Sequence, residues 1–297
     1  MNCPNLRAEL SDSPPMTSRP ENLPEGFEID PQDNLIRAIV GPWAYDKHAR
    51  IRKYVDISGP ARRKYAGQSQ STFIDLFCSC GRSRIKDTQE VIDGSPVVAW
   101  LESVRCNAPF SKVLIADHNE QLLKACEARL LKHGAPVVTF FGDAQNTVDA
   151  LIRQLDPHGL HFILLDPYNL ESLSFGIVRK LAALKRADIL MHVSAVDLQM
   201  NLRLYMSRDT SPLDSFAPGW RAHVPSSSDD VMVRGKILEH WRNLLKLEGL
   251  TTTETHQLVV GSGNQRLYWL AFAAKHELAL SFWDKIKHVG PEQRTLL

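Results

Sequence analysis

The sequence is short of the features that would announce a simple class. Lys+Arg 35 against Asp+Glu 34 leaves a formal net charge of only +1. The chain therefore lacks the basic excess that many nucleic-acid binders display, although a local patch can sit inside a neutral total. No run of about 18 apolar residues occurs, so no membrane-spanning helix is expected. Met1 to Pro24 has none of the apolar core that a secretory signal needs. Cysteine is scarce and odd in number, at Cys3, Cys78, Cys80, Cys106 and Cys126. Without a signal, that set argues against a disulfide framework, and the cytoplasm is the expected compartment. Internal repeats are missing, and so is the three-glycine loop of a dinucleotide-binding oxidoreductase.

What is present is an ordinary globular composition, 43% hydrophobic and 23% charged over 297 residues, with ample material for a core. Residues 1–35, rich in Pro, Ser and Asn, read as a flexible leader. Residues 36–71 read as an N-terminal helical extension, with Ala44, His48, Ile51 and Tyr54 at helical spacing and Pro60 as a break. From 72 onward, short apolar runs at 72–77, 112–116, 136–141, 160–165 and 188–193 alternate with helical patterns at 96–104, 119–133, 144–155 and 172–185. Strands separated by single helices imply a parallel sheet buried on both faces. A polar, turn-rich insertion is expected at about 197–230, then a helix over 231–247. Two β-rich runs, 252–260 and 267–273, joined by Gly261-Ser262-Gly263-Asn264, signal a hairpin, and a helix follows over 276–288. The expected fold over 72–297 is therefore α/β: a Rossmann-like class I methyltransferase domain. Its mainly parallel seven-stranded sheet would carry helices on both faces and a C-terminal antiparallel hairpin.

In such a sheet, ligands bind beyond the carboxyl ends of the strands, so the loops there carry the chemistry. Asp75-Leu76-Phe77-Cys78-Ser79-Cys80-Gly81 resembles the loop that approaches the methionine part of S-adenosyl-L-methionine (SAM), with Phe77, Ser79 and Gly81 at the three alternate small positions. Only Gly81 keeps the glycine usual there. Asp117, ending the next strand, can accept from both ribose hydroxyls or act in helix capping. Asp143, with Ala144 beside it, can accept from the adenine amine or cap its own helix. Leu164-Leu165-Asp166-Pro167-Tyr168 resembles the D-P-P-Y motif of enzymes that methylate exocyclic amines, with one Pro missing. In that motif Asp166 would accept from the amine, Pro167 would aim a carbonyl at it, and Tyr168 would stack the base. The plainer alternative for these three is a strand–turn with a packed Tyr.

Arg82 and Arg84, with Lys86, can meet a phosphate-bearing substrate or form a solvated turn; Ser95 joins them as a candidate substrate contact. Arg203, Arg208, Trp220, Arg221 and His223 can add contacts over the site, though a packed insertion is the preferred reading. Trp241 reads as core. Cys78 and Cys80 read as small, semi-buried residues. A redox-sensitive pair of lowered pKa is the sharper alternative, and no metal site is expected because no second ligand pair has convincing spacing.

The sequence resembles the three-Cys-motif partner proteins, a methyltransferase-like group, over nearly all of the chain beyond residue 40. The likeness includes Phe73-Ile74-Asp75-Leu76-Phe77, Ile92-Asp93-Gly94-Ser95-Pro96, Gly142-Asp143-Ala144, Leu165-Asp166-Pro167-Tyr168 and Leu267 through Ala273. That resemblance implies SAM as cofactor and a partner protein bearing a radical-SAM-like cysteine motif. The family's loop is close to F-A-G-P-G-R, and Cys78-Ser79-Cys80 departs from it at three consecutive positions. Two functions stay open: a SAM-dependent methyltransferase acting on an amino nitrogen of a nucleic-acid base or related nucleotide, or an inactive subunit that binds the partner.

Overall fold

Apolar runs bounded by turn residues form strands and runs with helical spacing form helices in a computed structural model of the chain. The structure describes residues 23–225, 229–252, 257–260 and 266–286. β1 (Phe27–Ile29) and β2 (Ile36–Val40) precede α1 (Ala44–Ile57) and α2 (Gly59–Ala66), with Pro60 in the first turn of α2. β3 (Ser71–Asp75), β4 (Arg82–Ile85), β5 (Val91–Asp93) and α3 (Ser95–Arg105) follow. Next come β6 (Lys112–Asp117), α4 (Glu120–Lys132), β7 (Val137–Phe141), α5 (Ala144–Ile152), β8 (Leu160–Leu165), α6 (Phe175–Ala182) and β9 (Ala187–Ser194). α7 (Ala195–Ser207), α8 (Pro212–Phe216) and a 3-10 turn (Trp220–Ala222) lead into α9 (Asp230–Leu247). β10 (Thr251–Thr252), β11 (Gln257–Val260), β12 (Arg266–Ala274) and α10 (Glu277–Ile286) come last.

The large sheet runs β7-β6-β3-β8-β9-β12, with β10 and β11 both on the outer side of β12. β7, β6, β3, β8 and β9 are mutually parallel, and β12 is antiparallel to β9. β10 and β11 pair with successive stretches of β12 and so take the place of one edge strand. The expected five parallel strands and antiparallel hairpin are what the chain forms; the hairpin loop Gly261-Ser262-Gly263-Asn264 lies outside the described residues.

Strand side chains alternate between two apolar layers, as a sheet covered on both faces requires. Ile74, Leu114, Ile163 and Ile189 pack towards α5, α6, α7 and α9. Phe73, Val113, Phe162 and Leu190 pack towards α1, α3, α4 and α10.

Three expectations need correction. Residues 27–29, within the expected leader, form β1, and residues 36–40, within the expected helical extension, form β2. With β4 and β5 they make a second sheet, ordered β1-β2-β4-β5. These strands are short and charged: Glu28 pairs with Arg37 and Arg84 across the sheet, and Arg82 pairs with Asp30 in the β1–β2 loop, so no apolar run betrays them. Residues 1–22 of the leader lie outside the described residues. The polar stretch 197–230 is mostly helical, because Leu198, Leu202, Leu213 and Phe216 bury its inner face. Its Ser226 to Ser228 lie outside the described residues. Trp241 is buried as expected and stacks on Phe216, with ring centroids 5.2 Å apart.

Candidate functional site

The parallel strands carry their terminal acids to one edge of the sheet: Asp75 ends β3, Asp117 ends β6, and Asp143 and Asp166 follow β7 and β8 closely. Two cavities open there. One, of about 290 Å³, is lined by Phe77, Asp117, Asp143, Ala144 and Tyr168 among others. The second, of about 230 Å³, is lined by Asp75, Phe77, Cys78, Ser79, Gly81 and Ser95, with Asp166, Pro167 and Tyr168 opposite. Phe77 and Tyr168 belong to both, so the cavities are neighbours across those two rings.

The loop after β3 is fixed from several sides. Cys78 N–H donates to the Ala116 carbonyl at 3.0 Å, and Ser79 N–H donates to Asp117 Oδ2 at 2.9 Å. Gly94 N–H donates to the Gly81 carbonyl at 2.8 Å, and Arg129 Nη1 donates to the Cys80 carbonyl at 2.6 Å. The turn needs left-handed backbone at both Ser79 (φ +52°) and Gly81 (φ +75°). Ser79 thus adopts without glycine the conformation that glycine takes freely.

The acids differ in state. Asp75 is fully buried and accepts from Phe77 N–H at 2.9 Å; burial pushes its carboxyl up to about 8. A cation bound beside it would favour the ionised form. Asp117 accepts Ser79 N–H on one oxygen and Asn119 N–H on the other, and burial raises its pKa. The cap of α4 is Asn119, whose side chain accepts from Gln121 and Leu122 N–H. Asp143 occupies the N-cap position of α5 yet makes no side-chain cap bond, so its exposed carboxylate is left facing the first cavity. Asp166 pairs with Lys47 through Oδ2, and His192 Nδ1 lies 3.9 Å from Oδ1. Burial works to raise Asp166, but Lys47 and His192 together hold it below its ordinary value.

Tyr168 is 73% exposed on the rim of both cavities, a free aromatic face rather than a packed one. Ser95 lines the second cavity as the first residue of α3, with Gly94 at the N-cap. Arg82 also lines it, but its guanidinium is tied to Asp30 at 3.2 Å and to Gln32. Arg84 lines neither cavity; Glu28 holds it by two bonds of 2.7 and 2.9 Å, and its Nη1 donates to the Thr88 carbonyl. The phosphate contact expected of this pair meets two arginines already neutralised within the small sheet. Arg203 pairs with Asp230, and Arg221 with Asp214 beside the buried Trp220, as a packed insertion requires. Cys78 and Cys80 are buried, which pushes both thiols up and makes them poor nucleophiles. That corrects the redox-pair reading.

Four residues of the second cavity have no signal in the strand-end motifs: Lys47 and His48 from α1, His192 from β9 and Tyr268 from β12. The His192 and Tyr268 rings lie 4.1 Å apart, and Tyr268 OH donates to the Trp43 carbonyl at 3.2 Å. Burial, with Lys47 beside it, lowers the pKa of His48; burial also lowers that of His192. Both rings are neutral near pH 7.

The strand order and the antiparallel last strand define the Rossmann-like class I methyltransferase fold. No protein-family model matches the sequence, and no curated protein matches it. Among solved structures, the O-methyltransferase from Bacillus cereus in complex with SAH is similar at 12% identity and TM-score 0.45, over 79% of this chain and 81% of that one. TYW2 from M. jannaschii in complex with AdoMet is similar at 8% identity and TM-score 0.40, over 85% and 87%. Cofactor-bound Rv0187 from MTB is similar at 15% identity and TM-score 0.42, over 75% and 78%. These are likenesses of overall fold. Among the described residues no helix is long and apolar enough to cross a membrane.

Proposed function

We propose that this chain is a SAM-dependent methyltransferase that acts on an amino nitrogen of a nucleic-acid base or related nucleotide. The observation that carries the reading is the convergence of Asp75, Asp117, Asp143 and Asp166 on two cavities that meet at Phe77 and Tyr168. Together the cavities reach the size of a cofactor site, and their donor set suits SAM. Asp143, uncommitted to its helix, is placed for the adenine amine, and Asp117 retains lone pairs for the ribose hydroxyls. Asp75, buried with one N–H partner, gains from a neighbouring positive charge. Bound SAM supplies a methyl group on a sulfonium, which is already a good leaving group. The protein's part is positioning and charge: Asp166 accepts from the amine, Pro167 fixes the turn after β8, and Tyr168 offers a stacking face.

Two observations favour a second reading, in which the chain is a catalytically weak or inactive subunit for a three-Cys-motif partner. Both Asp117 oxygens already accept backbone N–H groups, and Asp166 is already paired with Lys47. Calorimetric titration of the full chain with SAM and S-adenosylhomocysteine (SAH) separates the two. Methyl transfer requires that both bind, and that Asp143→Ala weakens both by about 10-fold or more, the worth of a hydrogen bond to a charged group. No binding of either by folded protein favours the subunit.

A further inference from the structure

The amine on Asp166 is the protein's own. Asp166 Oδ2 is paired with Lys47 Nζ, which α1 delivers into the cavity that also holds Asp75, Ser79 and Tyr168. Lys47 is the one lysine lining that cavity among the described residues. The Arg82 guanidinium, also on the wall, is already held by Asp30 and Gln32 and does not meet Asp166. From this geometry we propose that Lys47 is itself a methyl acceptor: SAM bound in the site modifies Lys47 Nζ, seated where a substrate amine would sit.

The step balances with residues already in place. Lys47 Nζ loses one proton along its bond to Asp166 Oδ2, and the next base is the His192 imidazole, whose Nδ1 lies 3.9 Å from Oδ1. Nδ1 is buried and has no hydrogen-bond partner, and the ring is neutral for the reasons given above. The freed lone pair of Nζ attacks the methyl carbon as the carbon–sulfur bond breaks, with its electron pair passing to sulfur. The products are N-methyl-lysine, SAH and one proton, released through the cavity mouth. Methylation keeps the charge of the side chain, so the pair with Asp166 survives it.

The inference rests on the SAM reading, and the two can fail separately. Purified full-length protein is incubated with SAM, and peptide mass spectrometry locates any gain of one methyl group. Methylation concentrated at Lys47, absent with SAH and absent in Lys47→Arg, supports the proposal. Protein that binds SAM in the calorimeter but gains no methyl, or gains it on other residues, overturns the proposal and leaves the SAM reading standing. A binding readout is independent of turnover. Lys47→Met removes a cation beside the sulfonium position and leaves Asp166 unpaired, so affinity for SAM should rise about 10-fold relative to SAH, whose sulfur is neutral. An unchanged ratio would place Nζ away from the sulfur and refute the assignment.

Discussion

A Cβ at Gly94 would lie 2.7 Å from the Gly81 carbonyl carbon and 2.8 Å from its Cα, with backbone atoms that cannot step aside alone. Gly94→Ala must therefore push the loop after β3 out of place. Overpacking of this kind costs about 1–3 kcal/mol, and affinity for SAM and SAH should fall with it. Gly235, inside α9, supplies the contrast, because nothing lies within 4 Å of a Cβ there. Gly235→Ala should stabilise by about 1 kcal/mol, the helix-propensity difference, and leave binding unchanged. Thermal midpoints and cofactor calorimetry on the two variants check this; equal midpoint shifts would refute it. The site acids were legible for a local reason: each lies at or just beyond the end of an apolar run. Lys47, His48, His192 and Tyr268 were not, because nothing near them in sequence marks the cavity they share.

At the scale of elements, the strands buried on both faces were the readable ones, since β3, β6, β8 and β9 are continuous apolar runs. β1, β2, β4 and β5 were not. They are joined by charge pairs between residues far apart in sequence and by a small apolar cluster of Ile36, Ala38 and Cys80, and the loop after β3 leans on both. Arg129 of α4 is 5% exposed and donates to both Asp33 oxygens at 2.9 Å, to the Ile36 carbonyl at 2.7 Å and to the Cys80 carbonyl at 2.6 Å. One guanidinium thus ties β1–β2 to the loop that lines the second cavity. Removing one partner of a buried ion pair strands the other charge and costs about 3–5 kcal/mol. Arg129→Met should lose that much and speed amide exchange over residues 27–40, while exchange in β8 and β9 changes only as global stability does. Uniform acceleration across all strands would refute the local clamp.

The whole molecule is organised so that α1 lies across one face of the large sheet, tied by the Lys47–Asp166 pair near its start and by a fully buried polar bond further along. Tyr54, 1% exposed, sits among the rings of Phe162, Phe272 and Trp283, and its OH donates to Asp188 Oδ2 at 2.7 Å. Lys47 precedes Tyr54 by about two helical turns on the same face, so this anchor sets where Nζ meets Asp166. Burial pushes the Asp188 carboxyl up to about 6, with the Tyr54 hydroxyl and His276 opposing. An unfolded Asp titrates near about 3.9, so the folded state holds the proton more tightly. Asp188 therefore costs stability as pH rises from about 4 to 6, and no further above that. Tyr54→Phe removes the bond that favours the ionised form, so the folded carboxyl titrates higher still and the loss extends to higher pH. Near pH 5, with Asp188 largely protonated, the variant should lose about 1 kcal/mol, the worth of a neutral hydrogen bond. By pH 8 the loss should grow to about 1.5–3 kcal/mol, as for a bond to a charged group. Urea unfolding of both proteins at the two pH values measures the difference directly. A penalty that stays constant between them would show that Asp188 does not titrate in this window.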